Sequence, residues 1–156
     1  ISKKEIINQK LVDKNIYELA EKYALQLFSE GEKWAKKQGL ILVDTKYEFG
    51  LVDNELIVID EIHTPDSSRY WISDEYETRF QNGENQLMLD KENIRQWLIG
   101  KGFSGEGAPP ELDDDIRILL SQKYIELYNI LTGNEFIPSV GDVSDRIQNN
   151  LKNAGF

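Results

Sequence analysis

Acidic side chains on a predicted hairpin are spaced so that they could hold a metal ion. Two β-rich runs, at 40–49 and 55–62, flank the turn-forming pair Asp53-Asn54. Glu48 and Asp60 lie an even number of positions apart, so an antiparallel hairpin could place them opposite each other, with Cβ atoms roughly 5 Å apart. Two carboxylates that close repel unless a cation joins them, and hard oxygen ligands suit Mg²⁺. We therefore predict Glu48 and Asp60 as metal ligands.

A lysine accompanies this acidic pair. Lys46 lies two residues before Glu48, so the alternation of side chains along a strand puts both on one face, together with Leu42 and Asp44. There Lys46 could contact a phosphate or a carboxylate. The opposite face is predicted to point into the core and consists of Val43, Thr45, Tyr47 and Phe49. A solvated sheet face with no ligand is the alternative interpretation of these charges.

The segment after the second β-rich run has the composition of an anion-binding turn. Pro65, Asp66, Ser67 and Ser68 are turn formers, and Arg69 follows them directly. Successive backbone N–H groups, two hydroxyls and a guanidinium fork together suit a phosphate or carboxylate ligand. An ordinary capped loop that ends in a surface arginine is the alternative.

A second basic cluster is predicted at the start of a helix. Lys91 and Arg95 are one helical turn apart and face the same way, and Asp90 is the predicted cap of that helix. Lys91 lies in the first turn, where free N–H groups also attract anions. A pair of solvated helix charges is the alternative. His63, the single histidine of the chain, lies beside the polar loop and is interpreted as a bystander rather than a general base.

The elements that must position these residues indicate an α+β fold. Apolar residues at helical spacing predict a long helix over 15–38, capped by Asp13 or Asn15, and another over 112–131. A shorter helix is predicted after Asp90 and a last one over 143–151, whereas 63–88 reads as irregular. We expect an antiparallel hairpin or sheet packed against several helices.

The composition excludes several classes of protein. The formal net charge is −10, so a basic face for nucleic acid is not expected. The chain has no cysteine, which rules out disulfides and a zinc–thiolate site and fits a reducing cytoplasm. No apolar run approaches the roughly 18 residues of a membrane-spanning helix, so no membrane partner is expected.

Four blocks of sequence resemble the SAICAR synthetase family. They are LVDTKYEFG (42–50), VIDEIHTPDSSRYW (58–71), DKENIRQWL (90–98) and YIELYNILTGNEF (124–136). Their order and spacing also agree with the family, and the similarity covers nearly the whole chain. The first two blocks are the most specific, because a DxKxEFG block followed by DE…TPDSSRYW is hard to obtain by chance. The last block is mainly core helix.

The resemblance implies a fold similar to that of protein kinases and a ligase activity. The family joins the carboxylate of carboxyaminoimidazole ribonucleotide to the amine of L-aspartate in de novo purine biosynthesis. ATP is cleaved to ADP and phosphate, with Mg²⁺ required. The implied chemistry is activation of the carboxylate as an acyl phosphate, followed by attack of the amine. Proximity and neutralisation of charge should dominate such a reaction.

Carried over by position, the resemblance assigns a role to each candidate residue. The acidic pair associated with the metal and nucleotide corresponds to Glu48 and Asp60. The active-site lysine beside them corresponds to Lys46, which with Asp60 is expected to be catalytic and to contact ATP. The substrate-binding loop corresponds to Asp66, Ser67, Ser68 and Arg69. The basic pair near the ribonucleotide phosphate corresponds to Lys91 and Arg95.

The chain departs from the family in one respect. The family begins with a β-rich lobe that carries a Gly-rich nucleotide loop and an ECVVRGY-like strand, whereas ISKKEIINQK resembles the stretch that follows them. Residues 1–156 are therefore expected to be a single C-terminal domain that binds substrate and metal, with the N-terminal lobe of the same enzyme as its missing partner. The family often forms homo-oligomers.

Two alternative functions belong to other classes. A small-molecule kinase would keep the metal and nucleotide site but change the acceptor, and the TPDSSRYW block argues against it. A non-catalytic interaction or oligomerisation module would fold without binding these ligands.

Overall fold

Helices and two small antiparallel sheets make up the chain, which confirms the α+β class. The computed structural model describes residues 1–89 and 91–156, and Asp90, the predicted helix cap, lies outside the described residues. The described elements, in chain order, are α1 (Lys3–Asn8), α2 (Lys14–Lys37), β1 (Leu40–Thr45), β2 (Glu48–Val52), β3 (Glu55–Ile59), β4 (Ser68–Ile72), α3 (Ser73–Asn82), α4 (Glu92–Gly100), α5 (Asp114–Thr132) and α6 (Val143–Asn153).

The first β-rich run does not form one strand. It breaks at Lys46 and Tyr47 into β1 and β2, which belong to different sheets. The strand β2 pairs with β3 as the predicted hairpin, whereas β1 pairs antiparallel with β4. The prediction that 63–88 is irregular is wrong, because β4 and α3 lie within it. The pairing of β1 with β4 brings Lys46, which follows β1, next to the 66–69 turn, although the two belong to separate sequence motifs.

The register of the hairpin differs by one residue from the prediction. Asp53 and Asn54 have φ values of 51° and 65°, so they form a two-residue turn that pairs Val52 with Glu55. Glu48 therefore lies opposite Ile59, and the predicted pairing of Glu48 with Asp60 is wrong. The physical reason is the tight turn, which requires an odd separation of paired residues.

A β-bulge in β1 overturns the predicted core face of that strand. The register shifts between Leu42, which pairs with Tyr70, and Asp44, which pairs with Arg69. Leu40 and Leu42 are the buried residues, whereas Val43 and Thr45 are only partly buried. The bulge thus ends the simple alternation that the sequence analysis assumed. It leaves Asp44 and Arg69 side by side, with the core residues Leu42 and Tyr70 next to them along the strands.

The core lies where α2 and α5 meet the β1–β4 sheet. Its buried members come from distant parts of the chain and are Ala35, Leu40, Leu42, Tyr70, Leu89 and Leu127. The long helices begin and end as their sequences predict. The side chain of Asp13 accepts hydrogen bonds from the N–H groups of Asn15 and Ile16, and Gly133 ends α5 with a left-handed φ of 69°. In the described part of the chain, no helix has the length and apolarity needed to cross a bilayer.

Candidate functional site

One cavity of about 400 Å³ collects most of the predicted site residues. It lies beside the ends of β1 and β4 and the start of α4. Seven predicted residues line it: Lys46, Asp66, Ser67, Ser68, Arg69, Lys91 and Arg95. Three lining residues were not among the predicted site residues: Asp44, Glu61 and Glu92. Glu48 and Asp60 do not line the cavity, but both reach its edge through Lys46.

Lys46 joins the two carboxylates that were predicted to hold a metal. Its Nζ lies 2.5 Å from Oε1 of Glu48 and 3.2 Å from Oδ2 of Asp60. Asp60 follows β3 with a φ of 73°, a left-handed conformation that turns the chain directly after the strand. The hydrogen bonds with Glu48 and Asp60 raise the pKa of Lys46, so its ammonium stays charged. The pKa of Asp60 is lowered, first by a backbone hydrogen bond from Glu61 and then by Lys46.

Arg69 is held by Asp44 across the β1–β4 pair. Its Nε donates to Oδ1 of Asp44 at 2.9 Å and to Oδ2 at 3.0 Å, and its Nη2 also donates to Oδ2. The guanidinium holds the pKa of Asp44 below its usual value, against the opposing effect of partial burial. The signal for Asp44 was present in the sequence, since it lies two residues before Lys46. Its partner could not be read there, because the pairing depends on the bulge.

Lys91, which directly precedes α4, and Arg95 within α4 also have carboxylate partners. Lys91 Nζ lies 3.0 Å from Oδ1 of Asp66, and Arg95 Nη1 lies 3.2 Å from Oε1 of Glu92. Glu92 is buried, and the spacing of three residues between it and Arg95 on a helix was the sequence signal that could have identified it.

The cavity is therefore lined by a network of ion pairs, with basic and acidic side chains together. Among the residues that the structure describes, four basic groups line it, namely Lys46, Arg69, Lys91 and Arg95, and four acidic groups, namely Asp44, Glu61, Asp66 and Glu92. The formal charges of these eight side chains cancel. An anionic ligand that binds there meets basic groups that already have carboxylate partners, so it must share or displace those carboxylates or arrive with a cation.

The turn before β4 is organised by Thr64, which the sequence analysis did not single out. Its Oγ1 donates to Oε2 of Glu61 at 2.6 Å and accepts from the N–H groups of Asp66 and Ser67, each at 3.3 Å. Two of the backbone donors that were predicted to hold an anion are thus engaged by a hydroxyl. The hydroxyl of Ser68 is buried and donates to Oγ1 of Thr45 at 2.9 Å, so this serine ties the turn to β1.

His63 lies outside this cavity and packs against the fold. Its Nε2 is 2.6 Å from the hydroxyl of Tyr47, and its backbone carbonyl accepts a hydrogen bond from the hydroxyl of Tyr70 at 2.8 Å. Its ring sits against Gly31 of α2, where an added Cβ would clash with it. Burial lowers the pKa of His63 and raises the pKa of Tyr47 and of Tyr70 to about 12 each. All three side chains are therefore neutral at pH 7.

The donor set at Lys46 fits a metal that is completed by other ligands. Glu48 and Asp60 converge on one cationic centre, the ammonium, and both are substantially exposed. Among residues 1–89 and 91–156, no three His, Cys, Asp or Glu side chains surround a common point. Mg²⁺ is commonly held by one or two carboxylates together with phosphate oxygens and water. The two carboxylates suit that kind of site and not a complete protein cage.

Comparisons with known proteins agree with the motifs and the fold. The family model for SAICAR synthetase matches residues 1–110. A phosphoribosylaminoimidazole-succinocarboxamide synthase from Azobacteroides pseudotrichonymphae is 48% identical over 155 residues, which cover 97% of this chain and 48% of that protein. The chain thus spans about half the length of the curated relatives it matches.

Solved structures of this family superpose on the chain. The SAICAR synthase of Saccharomyces cerevisiae complexed with SAICAR has a TM-score of 0.69 and 36% identity, covering 83% of this chain and 42% of that one. A SAICAR synthetase in complex with ADP has a TM-score of 0.57 and 25% identity. The match covers 85% of this chain and 44% of that synthetase chain. The motifs of the site, the matched family model and the shared fold together show that the chain belongs to the SAICAR synthetase family.

Proposed function

We propose that the chain forms the substrate- and metal-binding domain of a cytoplasmic, ATP-dependent ligase that makes SAICAR. The reaction joins carboxyaminoimidazole ribonucleotide to L-aspartate and releases ADP and phosphate. The observation that carries the proposal is the cavity in which Lys46, the 66–69 turn and the basic residues Lys91 and Arg95 meet. These residues are distant in sequence, and the whole cavity lies within the part of the chain that the family model matches.

The basic residues are proposed to bind the phosphate of the ribonucleotide. Arg69, Lys91 and Arg95 all line the cavity, and each is held by a carboxylate. Ion pairs between exposed groups contribute only about 0.2–1 kcal/mol. A charge-assisted hydrogen bond to an ionised ligand contributes roughly 1.5–3 kcal/mol. A phosphate dianion should therefore displace Asp44 and Asp66 from their partners, and until then these carboxylates keep the basic side chains in place.

Lys46 and its two carboxylates are proposed to serve the ATP side of the reaction. Glu48 and Asp60 would hold Mg²⁺, which when bound supplies positive charge that neutralises phosphate oxygens. Lys46 would then turn from these carboxylates towards the phosphoryl group or the substrate carboxylate and place its positive charge there. The residues contribute positioning and charge, which is most of what phosphoryl transfer needs from a protein.

The chain alone is proposed to lack the rest of the ATP site, and a complementation assay tests this. We would measure aspartate-dependent ADP release with the ribonucleotide present, for the chain alone, for the chain mixed with the N-terminal half of a close relative, and for a fusion of the two. The proposal predicts turnover only when that half is present, and its loss in a fusion that carries Lys46→Ala. Full turnover by the isolated chain, or none in the fusion, would contradict it.

A further inference from the structure

A tyrosine lies between two residues of the proposed site in the link from β1 to β2. This link consists of Lys46 and Tyr47, and β2 begins at Glu48. Lys46 and Glu48 are exposed, whereas Tyr47 between them is partly buried. The link lies outside the register of both strand pairs, and the strands that it connects belong to different sheets. Its conformation therefore depends on contacts other than strand pairing.

The hydroxyl of Tyr47 contacts the end of the turn that carries Asp60. It lies 2.6 Å from Nε2 of His63, and the two rings meet edge to face with their centroids 5.6 Å apart. Asp60 directly follows β3, and His63 comes three residues later. The β2–β3 pairing already joins Glu48 to the strand before Asp60. The Tyr47–His63 hydrogen bond is thus a second connection between the link and the turn.

The turn depends on such contacts because two of its residues have left-handed backbone conformations. Asp60 has a φ of 73° and His63 a φ of 59°. Residues with a Cβ rarely adopt these values, and they keep them only where the surrounding structure imposes them. The carbonyl of His63 accepts a hydrogen bond at 2.8 Å from the hydroxyl of Tyr70, a core residue. Its ring also lies against α2 at Gly31. His63 is therefore fixed to the core and can fix Tyr47 in turn.

We propose that the Tyr47–His63 hydrogen bond positions the two proposed metal ligands, Glu48 and Asp60, relative to each other. The inference rests on the function proposed above for these carboxylates. Both members of the bond are positioning residues, since neither belongs to the ligand set. The ammonium of Lys46 shows that the present geometry brings both carboxylates to one cation. Without the bond, a cation must order the link and the turn when it binds, and this cost weakens binding.

Binding of Mn²⁺ to the chain tests this positioning role. Tyr47→Phe removes only the hydroxyl, and His63→Asn ends one bond short of Nε2 while it tolerates the left-handed φ. Each variant should weaken Mn²⁺ binding by roughly three- to tenfold, the equivalent of one hydrogen bond. The double variant should bind no more weakly than either single variant, because all three lack the same bond. Additive losses, or unchanged affinity in both single variants, would overturn the proposal.

A control variant separates positioning from a loss of overall stability. Ile130→Val shortens a side chain that packs against the core from α5 and does not line the cavity. It should lower the stability of the chain, as Tyr47→Phe also should. At a temperature where every variant is folded, Ile130→Val should leave Mn²⁺ binding unchanged. If it weakens binding as much as Tyr47→Phe does, the tyrosine acts only through stability and the proposal is wrong.

Amide hydrogen exchange tests the same role without a metal. The N–H of Lys46 donates to the carbonyl of Ser67 at 3.1 Å, and that of Glu61 donates to the carboxylate of Asp60. In Tyr47→Phe both amides should exchange faster relative to the amides of α5. A uniform change along the chain would overturn the proposal. If Mn²⁺ leaves the signals of both carboxylate residues of the unaltered chain unaffected, the proposed metal site fails instead, and the exchange rates alone decide whether the bond positions the turn.

Discussion

Lys46 occupies the position where the two proposed metal ligands meet. Its ammonium contacts Glu48 and Asp60 at once, so it competes with any divalent cation for these carboxylates. Ion pairs between exposed groups are weak, because water screens the charges and both side chains lose conformational freedom. Replacing Lys46 with Met should therefore strengthen Mn²⁺ binding to the chain by roughly three- to tenfold. Paramagnetic broadening by Mn²⁺ measures this directly.

A matched control for this metal measurement is available on α2. Lys33→Met removes an equally exposed lysine from its pair with Glu30, which is not near the cavity, and should leave Mn²⁺ binding unchanged. Weaker Mn²⁺ binding by Lys46→Met would count against the metal assignment. So would broadening that leaves the signals of Glu48 and Asp60 unaffected.

The role proposed for Arg69 predicts a selective change in substrate affinity. In the complete enzyme, Arg69→Ala removes a guanidinium and leaves Asp44 facing the incoming phosphate. The Michaelis constant for the ribonucleotide should rise roughly ten- to a hundredfold, which corresponds to one charge-assisted hydrogen bond. The constant for ATP should change much less. Steady-state kinetics for both substrates provide the measurement, and Arg117→Ala on α5 is the surface control. Equal changes for both substrates would refute a role specific to the ribonucleotide.

His63 should make the stability of the chain depend on pH. Burial lowers its pKa in the folded state relative to the unfolded state, so the unfolded chain binds the proton more readily. This contribution to stability is complete above about pH 6.5 and is lost as the pH falls through the lowered folded pKa. The free energy of unfolding by urea should therefore fall between pH 7.5 and pH 5.5. His63→Asn, which tolerates the left-handed φ of 59°, should reduce that fall. An unchanged pH dependence would show that other groups cause it.

At the scale of elements, a glycine in α2 lets the long helix approach the 60–64 turn. A Cβ on Gly31 would lie 2.7 Å from Nε2 of His63 and 2.8 Å from Cδ2 of Leu42, and would clash with Cε1 of His63. Gly31→Ala should therefore destabilise the chain by about 1–2 kcal/mol, because overpacking outweighs the gain in helix propensity. Gly100→Ala in α4 meets open space, so its stability should be unchanged or raised by up to about 1 kcal/mol. Urea unfolding compares the two variants, and equal effects would contradict this packing.

Some helices and strands could be predicted from the sequence, whereas others could not. The helices α2 and α5 were predicted within one or two residues, because their stripes and caps are local signals. The hairpin was also predicted, but its register depended on whether Asp53-Asn54 alone forms the turn. The β1–β4 sheet was missed, since its partners lie far apart in sequence and a bulge hides the alternation of β1.

At the scale of the whole molecule, the sequence predicted which candidate residues belong to one cluster, but not all of the ion pairs among them. Seven candidate residues, all of them in the family motifs, line one cavity. Tertiary structure adds Asp44, Glu61 and Glu92 to its lining. The basic residues stood out in a chain of net charge −10, yet the acidic partners of Arg69 and Lys91, which are Asp44 and Asp66, are revealed only by the fold. The motifs therefore predicted which residues cluster, whereas the carboxylates that pair with Arg69 and Lys91 became apparent only in the structure.

The proposed ligase function requires that this cavity bind the ribonucleotide. Binding of SAICAR to the chain tests this requirement directly. Titration of the ¹⁵N-labelled chain with SAICAR should shift the amide signals of 66–69 and 91–95 together. Arg69→Ala should weaken that binding by roughly tenfold or more, whereas Arg146→Ala on α6 should leave it unchanged. Shifts that cluster elsewhere, or equal affinities for the two variants, would contradict the assignment of this cavity.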